Sequence, residues 1–327
     1  QYLVCYVDDM LALFPPGTPM SAMLSVIEKV KNICILLGVP MAKWRLPSTR
    51  ITFLGRVIDT IKMTAELTEE RVTFLVELID HVLSLSTITE KQLHSIHGHL
   101  QFAATVAQHG RAFLWRLGRL AHSSHRPLTV TEGVREDLLW WRHLLLTWQG
   151  VSLIREPSFS FRSDRIMFTD ASKLGFGAYF DGHWFSQPWP ASFLDRARRK
   201  KRIDINFLEM FAIVAACLSF YHFFPRGKVR VLIRSDSKCS VDILSNFRST
   251  SPDLQHLVRF LLLTAQRKHF DLRVSHIAGK LNVKADWLSR LNSSTFLQKY
   301  PLADREPTPT LIPSVPRYNW PGAAPVI

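Results

Sequence analysis

Cysteine is scarce in this chain: four residues in 327, at Cys5, Cys34, Cys217 and Cys239, with no Cys-x-x-Cys pair among them. That scatter suggests neither a zinc site nor a disulfide framework, and makes a reducing intracellular compartment, cytoplasm or nucleus, the expectation. His94, His97 and His99 lie close together, but no cysteine or second histidine group follows, so they read as polar positions on a helix. Long apolar runs are lacking too. The longest, Phe211 to Phe224, includes Tyr221 and His222 and is too short to span a bilayer, so no membrane partner is expected. No signal-peptide pattern and no internal repeat are visible. Acids are outnumbered, with 27 Asp and Glu against 41 Lys and Arg, a formal net charge of +14.

What is present is enough for two or three modest globular domains: 47% of the residues are hydrophobic and 21% charged. The positive excess is concentrated. Residues 160 to 292 hold 22 Lys and Arg against 11 Asp and Glu, which is +11 of the +14. So uneven a loading points to a polyanion, nucleic acid, as the partner of that segment.

The apolar period changes along the chain. Tyr2 to Val7 reads as a strand broken at Asp8-Asp9, Ser21 to Gly38 as an amphipathic helix, and Ile51 to Gly55 with Arg56 to Ile61 as short strands meeting at a turn, where Asp59 reads as an exposed turn acid. From 66 to 148 the pattern is helical. Thr68 with Glu69 and Glu70 opens one helix. Thr87-Ile-Thr-Glu90 reads as a capping box opening a second, with Leu93, Ile96 and Leu100 on one face. Arg135 to Trp148 reads as a third, its Trp140 and Trp141 as core. Beyond 160 the order reads β-β-β-α-β-α-α-β-α, a five-stranded mixed sheet with helices on its faces, in the α/β (mixed α+β) class. Residues 293 to 327 read as a proline-rich tail or linker: the stretch from 301 onward holds seven of the 18 prolines.

Four acids stand where such a sheet forms sites. Asp170 and Asp236 each follow an apolar strand, Glu209 lies early in the helix between those strands, and Asp286 opens a final short helix. A single Asp at a strand end is more often a turn or cap residue. Four converging carboxylates, however, would raise each other's pKa unless cations neutralised them. Hard oxygen ligands select Mg²⁺, with Mn²⁺ as a substitute, and two such ions about 3.5–4 Å apart suit hydrolysis of a phosphodiester by water.

The motifs around these acids resemble the ribonuclease H domains of retroelements. Thr169-Asp-Ala-Ser172 with Gly175-Phe-Gly-Ala-Tyr looks like their opening hairpin, and Asn206-Phe-Leu-Glu-Met210 like their glutamate helix. Arg234-Ser-Asp-Ser237 looks like their second aspartate, and His276-Ile-Ala-Gly279-Lys-Leu-Asn282-Val-Lys-Ala-Asp286-Trp-Leu-Ser-Arg290 like their closing signature. The resemblance implies a ribonuclease H-like fold and cleavage of RNA in RNA–DNA hybrids. By it, Asp170, Glu209, Asp236 and Asp286 are the metal ligands, and His276 is a mobile histidine near the scissile phosphate.

Upstream, Tyr6-Val-Asp-Asp9 resembles the reverse transcriptase metal-binding turn, followed at the family's distance by Phe53-Leu-Gly55. Lys43 stands where that family often places a lysine near the leaving pyrophosphate; a solvated loop is the alternative. Gly98-His-Leu, Gly110-Arg-Ala-Phe-Leu and Asp137-Leu-Leu-Trp-Trp141 look most like the thumb-connection of DIRS-type tyrosine-recombinase retrotransposons. The implied layout is palm from 1 to 62, helical thumb and connection from 63 to 155, ribonuclease H-like domain from 160 to 292, then tail. The chain reads as a polyprotein fragment whose partners are the upstream part of the reverse transcriptase and, downstream, a tyrosine recombinase. Asp8 and Asp9 then form half of a polymerase site.

The run Arg196-Ala-Arg198-Arg199-Lys200-Lys201-Arg202 reads as a phosphate-contacting loop leading into the Glu209 helix and following Trp184 and Trp189; a nuclear localisation signal and a solvated loop are the alternatives. For the whole chain, the alternatives to a ribonuclease H are a non-catalytic nucleic-acid-binding remnant and a DNA-acting nuclease or integrase of the same fold.

Overall fold

The chain divides into two units in the computed structural model: residues 1–107 with 125–157, and 108–124 with 158–327. The residues described are 2–7, 9–40, 43–123, 126–147, 151–152, 166–190, 204–224, 229–268, 270–313 and 323–324.

In the first unit, β1 (Tyr2–Tyr6) and β2 (Asp9–Leu13) form an antiparallel hairpin with Tyr6 opposite Asp9. Asp8 lies outside the described residues; Val7, after β1, has a positive φ of 53°. Helix α1 (Met20–Leu36) follows. Strands β3 (Arg50–Phe53) and β4 (Arg56–Asp59) meet at Leu54-Gly55, both with positive φ (48° and 70°), the turn whose twist suits a two-residue hairpin. A third strand, β5 (Thr64–Leu67), had no place in the sequence reading, although Ala65 and Leu67 alternate inward. Asp59 is buried, contrary to the exposed turn acid expected. Its Oδ1 accepts the N–H groups of Ile61 (3.0 Å) and Lys62 (2.8 Å), which satisfies a turn the side chain must enter to cap.

Helix α2 (Glu69–Ser84) is capped by Thr68, whose hydroxyl accepts the Arg71 N–H at 3.3 Å. The next capping box is Thr89 with Gln92, two residues later than the Thr87–Glu90 pattern. Thr87 and Ile88 are drawn off into a short strand, β6, and α3 (Glu90–Ala103) starts after it. Leu93, Ile96 and Leu100 are fully buried on one face of α3. His99 is buried enough that its imidazole is held below its ordinary pKa, with Arg71 beside it. Beyond Ala107 the chain passes to the second unit through a 3₁₀ turn (Gln108–Phe113) and α4 (Trp115–Ala121). It returns as β7 (Leu128–Thr129), paired to β6, α5 (Glu132–Thr147) with Trp141 fully buried, and β8 (Val151–Ser152), which completes the sheet β3-β4-β5-β8.

The second unit is built on five strands. β9 (Ile166–Ala171), β10 (Gly175–Phe180) and β11 (His183–Pro188) form an antiparallel meander, and β12 (Val229–Ser235) and β13 (Phe270–His276) run parallel to β9, giving the order β11-β10-β9-β12-β13. The crossovers are helical: α6 (Ile205–Phe220) before β12, then α7 (Lys238–Asn246) and α8 (Pro252–Arg267) before β13. This is the mixed sheet flanked by helices that the sequence pattern implies. Helix α6 is the one helix among the described residues long and apolar enough to cross a membrane. Every residue from Phe207 to Phe220 is buried, as in a core helix covered on all sides. The chain then closes with α9 (Val283–Ser289) and α10 (Ser293–Lys299).

Residues 293–313 are packed, where an extended tail was expected. Phe296 is fully buried beside Trp184 and Leu288. Asp304 Oδ2 meets His183 Nδ1 at 2.6 Å, its carbonyl accepts the Trp184 indole N–H at 2.7 Å, and the Thr308 N–H donates to the Trp184 carbonyl at 2.7 Å. The prolines read as marking a tail or linker instead suit an extended strap lying along the outer edge strand β11, where few backbone N–H groups are called for. Trp184 and Trp189, expected near a nucleic-acid loop, are both buried, Trp189 against Phe176 and Phe211, so neither offers a stacking platform.

Candidate functional site

Parallel strands place their C-terminal ends on one edge of the sheet, where side chains beyond the last ladder bond converge. Asp170 lies near that end of β9. Asp236 follows Ser235, the last residue of β12, and precedes Ser237, which caps α7 by accepting the Ser240 N–H at 3.2 Å. Glu209, on the second turn of α6, points from the covering helix onto β9, and its carboxylate accepts the Ala171 N–H.

These three acids offer ligand oxygens all within 4.8 Å of one another. Asp170 and Glu209 are both 7% exposed. Burial is the largest cause raising the Asp170 carboxyl to about 6, with Asp236 and Asp286 adding to it and Ser289 opposing. Burial again, then the charges of Asp170 and Asp236, push Glu209 up to about 9. Glu209 Oε2 is buried without a hydrogen-bond partner. Three close carboxylates, one with an orphaned oxygen, fit a hard divalent cation: it would relieve the repulsion and satisfy the oxygen together.

The fourth acid stands apart. Asp286, on α9, is not in the group of three. Its Oδ1 accepts the Arg290 Nε–H at 2.7 Å one turn on, at the exposed side of the site. His276 ends β13 in register with Ser235, one residue before Asp236, and is exposed.

The closing signature does more than supply Asp286. A Cβ on Gly279 would come within 3.0 Å of Asp236 Oδ2, so the bare backbone there lets that carboxylate sit against the turn. Asn282 is fully buried and its amide donates to the Thr169 carbonyl at 2.9 Å, beside Asp170. Ser289, also fully buried, donates to Asp170 Oδ2. Sequence reasoning quoted these residues without giving them roles. The available signal was their helical spacing: Ser289 and Arg290 are three and four residues after Asp286, so all three share one face of α9.

Two of the other expected residues belong to the first unit. Asp9 opens β2 in the first unit, and Lys43 is exposed in an irregular segment of that unit. Arg198, Arg199, Lys200, Lys201 and Arg202 lie outside the described residues.

No protein-family model and no curated protein matches this sequence. Among solved structures it is similar to a foamy viral protease-reverse transcriptase in complex with double-stranded DNA, at 16% identity and TM-score 0.37, covering 84% of this chain and 46% of that one. It is similar also to the N-terminal RNase H domain of a Mycobacterium tuberculosis protein (16%, TM-score 0.29, 41% of this chain and 96% of that one). A third similarity is to RNase H1 of the archaeon Halobacterium salinarum (16%, TM-score 0.27, 40% and 96%). The chain spans less than half the length of the foamy viral protein.

Proposed function

We propose that this chain is a divalent-metal-dependent nuclease that cleaves the RNA strand of RNA–DNA hybrids, as part of a retroelement reverse transcriptase of the DIRS type. The observation that carries it is the group formed by Asp170, Glu209 and Asp236, within 4.8 Å at the C-terminal ends of parallel strands. Asp170, Glu209 and Asp236 would hold the cation, Mg²⁺ or Mn²⁺, with Asp286 at its open side. When bound, such an ion offsets phosphate charge and lowers the pKa of a water.

This chain's own residues then divide the work. The buried carboxylates would hold the cation at one place on the sheet's edge. Arg290 holds Asp286 in place at the exposed side through its Nε–H hydrogen bond to Oδ1. His276, exposed beside Asp236, carries a proton to the leaving oxygen as water's oxygen, its own proton given up to solvent, bonds to phosphorus and the opposite P–O bond breaks. The preference for a hybrid over DNA rests on the glutamate of the first helix, Glu209, and on the closing signature around His276; the +11 charge of residues 160 to 292 suits either nucleic acid. Asp8 and Asp9 are assigned to a polymerase metal-binding turn.

The test is cleavage of a labelled hybrid with Mg²⁺, beside duplex DNA of the same sequence. Asp170→Asn and Asp236→Asn should each remove nearly all turnover. Cleavage that survives a chelator or Asp170→Asn sinks the nuclease reading, and equal cleavage of duplex DNA favours the DNA-acting alternative.

A further inference from the structure

We propose that Ser289 is a positioning residue for the carboxylate site, orienting Asp170 so that the site meets its cation along one fixed direction. The proposal rests on the metal-site reading above, but its test does not depend on turnover.

A buried serine near a helix end usually returns its hydroxyl proton to a carbonyl three or four residues back. Ser289 has such a carbonyl, Asp286 O, at 3.0 Å. Its one proton has a second acceptor, Asp170 Oδ2, and an ionised acceptor makes the stronger bond. With the proton on Asp170, one lone pair of Oδ2 is taken and the plane of the carboxylate is pinned, so the remaining lone pairs face the site in one orientation.

The surroundings hold Ser289 for this contact from three sides. Ser172 Oγ donates to the Ser289 carbonyl at 2.7 Å, and Ser186 Oγ donates to the Leu288 carbonyl at 2.6 Å, which fastens the end of α9 to the meander. On the third side is Gly177. A Cβ there would stand 2.8 Å from the Ser289 nitrogen, so the sheet leaves room for this backbone only where a side chain is missing. A serine that merely completed a helix end would need none of this.

The experiment is Mn²⁺ binding to the whole chain without nucleic acid, followed by electron paramagnetic resonance. Ser289→Ala should raise the Mn²⁺ Kd about tenfold or more, the usual effect of removing a hydrogen bond to a ligand. The Mn²⁺ needed for half-maximal hybrid cleavage should rise by the same factor, and KM for the hybrid should not move. Ser289→Thr, which keeps the hydroxyl, should restore the affinity. If Ser289→Ala does not fold, Ser289→Cys, of similar volume but a weak donor, carries the test and should also bind Mn²⁺ more weakly. Wild-type affinity in folded Ser289→Ala or Ser289→Cys overturns the proposal. Absence of Mn²⁺ binding by the wild-type chain overturns the metal-site reading itself, and the two failures are thereby told apart.

Discussion

Gly177 lies directly across the β9–β10 ladder from Asp170, and a methyl group on it would stand 2.4 Å from Leu288 Cβ and 2.6 Å from the Leu288 carbonyl carbon. The obstacle is largely backbone, so α9 must lift before any side chain fits. Gly177→Ala should therefore cost about 1–3 kcal/mol of stability by overpacking and weaken Mn²⁺ binding with it, because Ser289 moves away from Asp170. Gly98, inside α3 with nothing within 4 Å of its Cβ position, is the control. Gly98→Ala should stabilise by roughly 0.5–1 kcal/mol through helix propensity. Thermal melts of the two variants that coincide would contradict this account of α9.

Metal-free stability should fall as pH rises. Glu209 moves from an ordinary 4.5 to about 9 and Asp170 from 3.8 to about 6, both chiefly through burial. Between the ordinary and the raised values the folded chain binds more protons than the unfolded chain, so raising pH favours unfolding. The penalty begins above pH 4, the Asp170 share is complete a little above pH 6, and the Glu209 share grows until about pH 9. Glu209→Gln should thus melt higher than wild type at pH 8 without metal, and the gap should close toward pH 5. With Mn²⁺ the order should reverse. Parallel melting curves across this range would show that Glu209 is not held protonated.

The strap along β11 should be part of the folding unit. Phe296 is fully buried against Trp184 and Tyr179, and Phe296→Ala should cost about 3–5 kcal/mol. Truncation after Arg290 should leave β11 as an unprotected edge and promote aggregation, seen by light scattering. A truncated chain that stays monodisperse with an unchanged melting temperature would return residues 293–313 to the status of a tail.

For the basic run, Arg198, Arg199, Lys200 and Lys201 replaced together by Ala should weaken hybrid binding and flatten its dependence on salt, because each phosphate contact releases counterions. Equal slopes of log affinity against log salt concentration would favour the localisation signal.

Much of the fold was legible because the second unit obeys period rules. Strands β9 to β13 alternate or run apolar, and the helices between them carry their own caps, so element order could be read directly. Three acids were legible for a similar reason: a strand end or the opening turns of a helix mark each one. Less could be read where a contact joins distant segments. Ser289 and Asp170 are 119 residues apart, and nothing local in either tells of the other. Asp286 looked equivalent to its three partners, although its pairing with Arg290 sets it apart. The strap was misread because prolines mark the lack of regular structure, which is a different property from lack of packing. Thr87 was misread as a cap because its pairing partner, Thr129, lies far along the chain.

The separation of Asp170 from Ser289 also sets an order in time. A ribosome adds roughly 5–20 residues each second, so on the order of 10 s pass between the synthesis of one and of the other. By the second half of that interval the opening hairpin and the glutamate helix have been made, while the seat for α9 beside Gly177 stands empty. The contact that orients Asp170 therefore forms only after the last turn of α9 has been made.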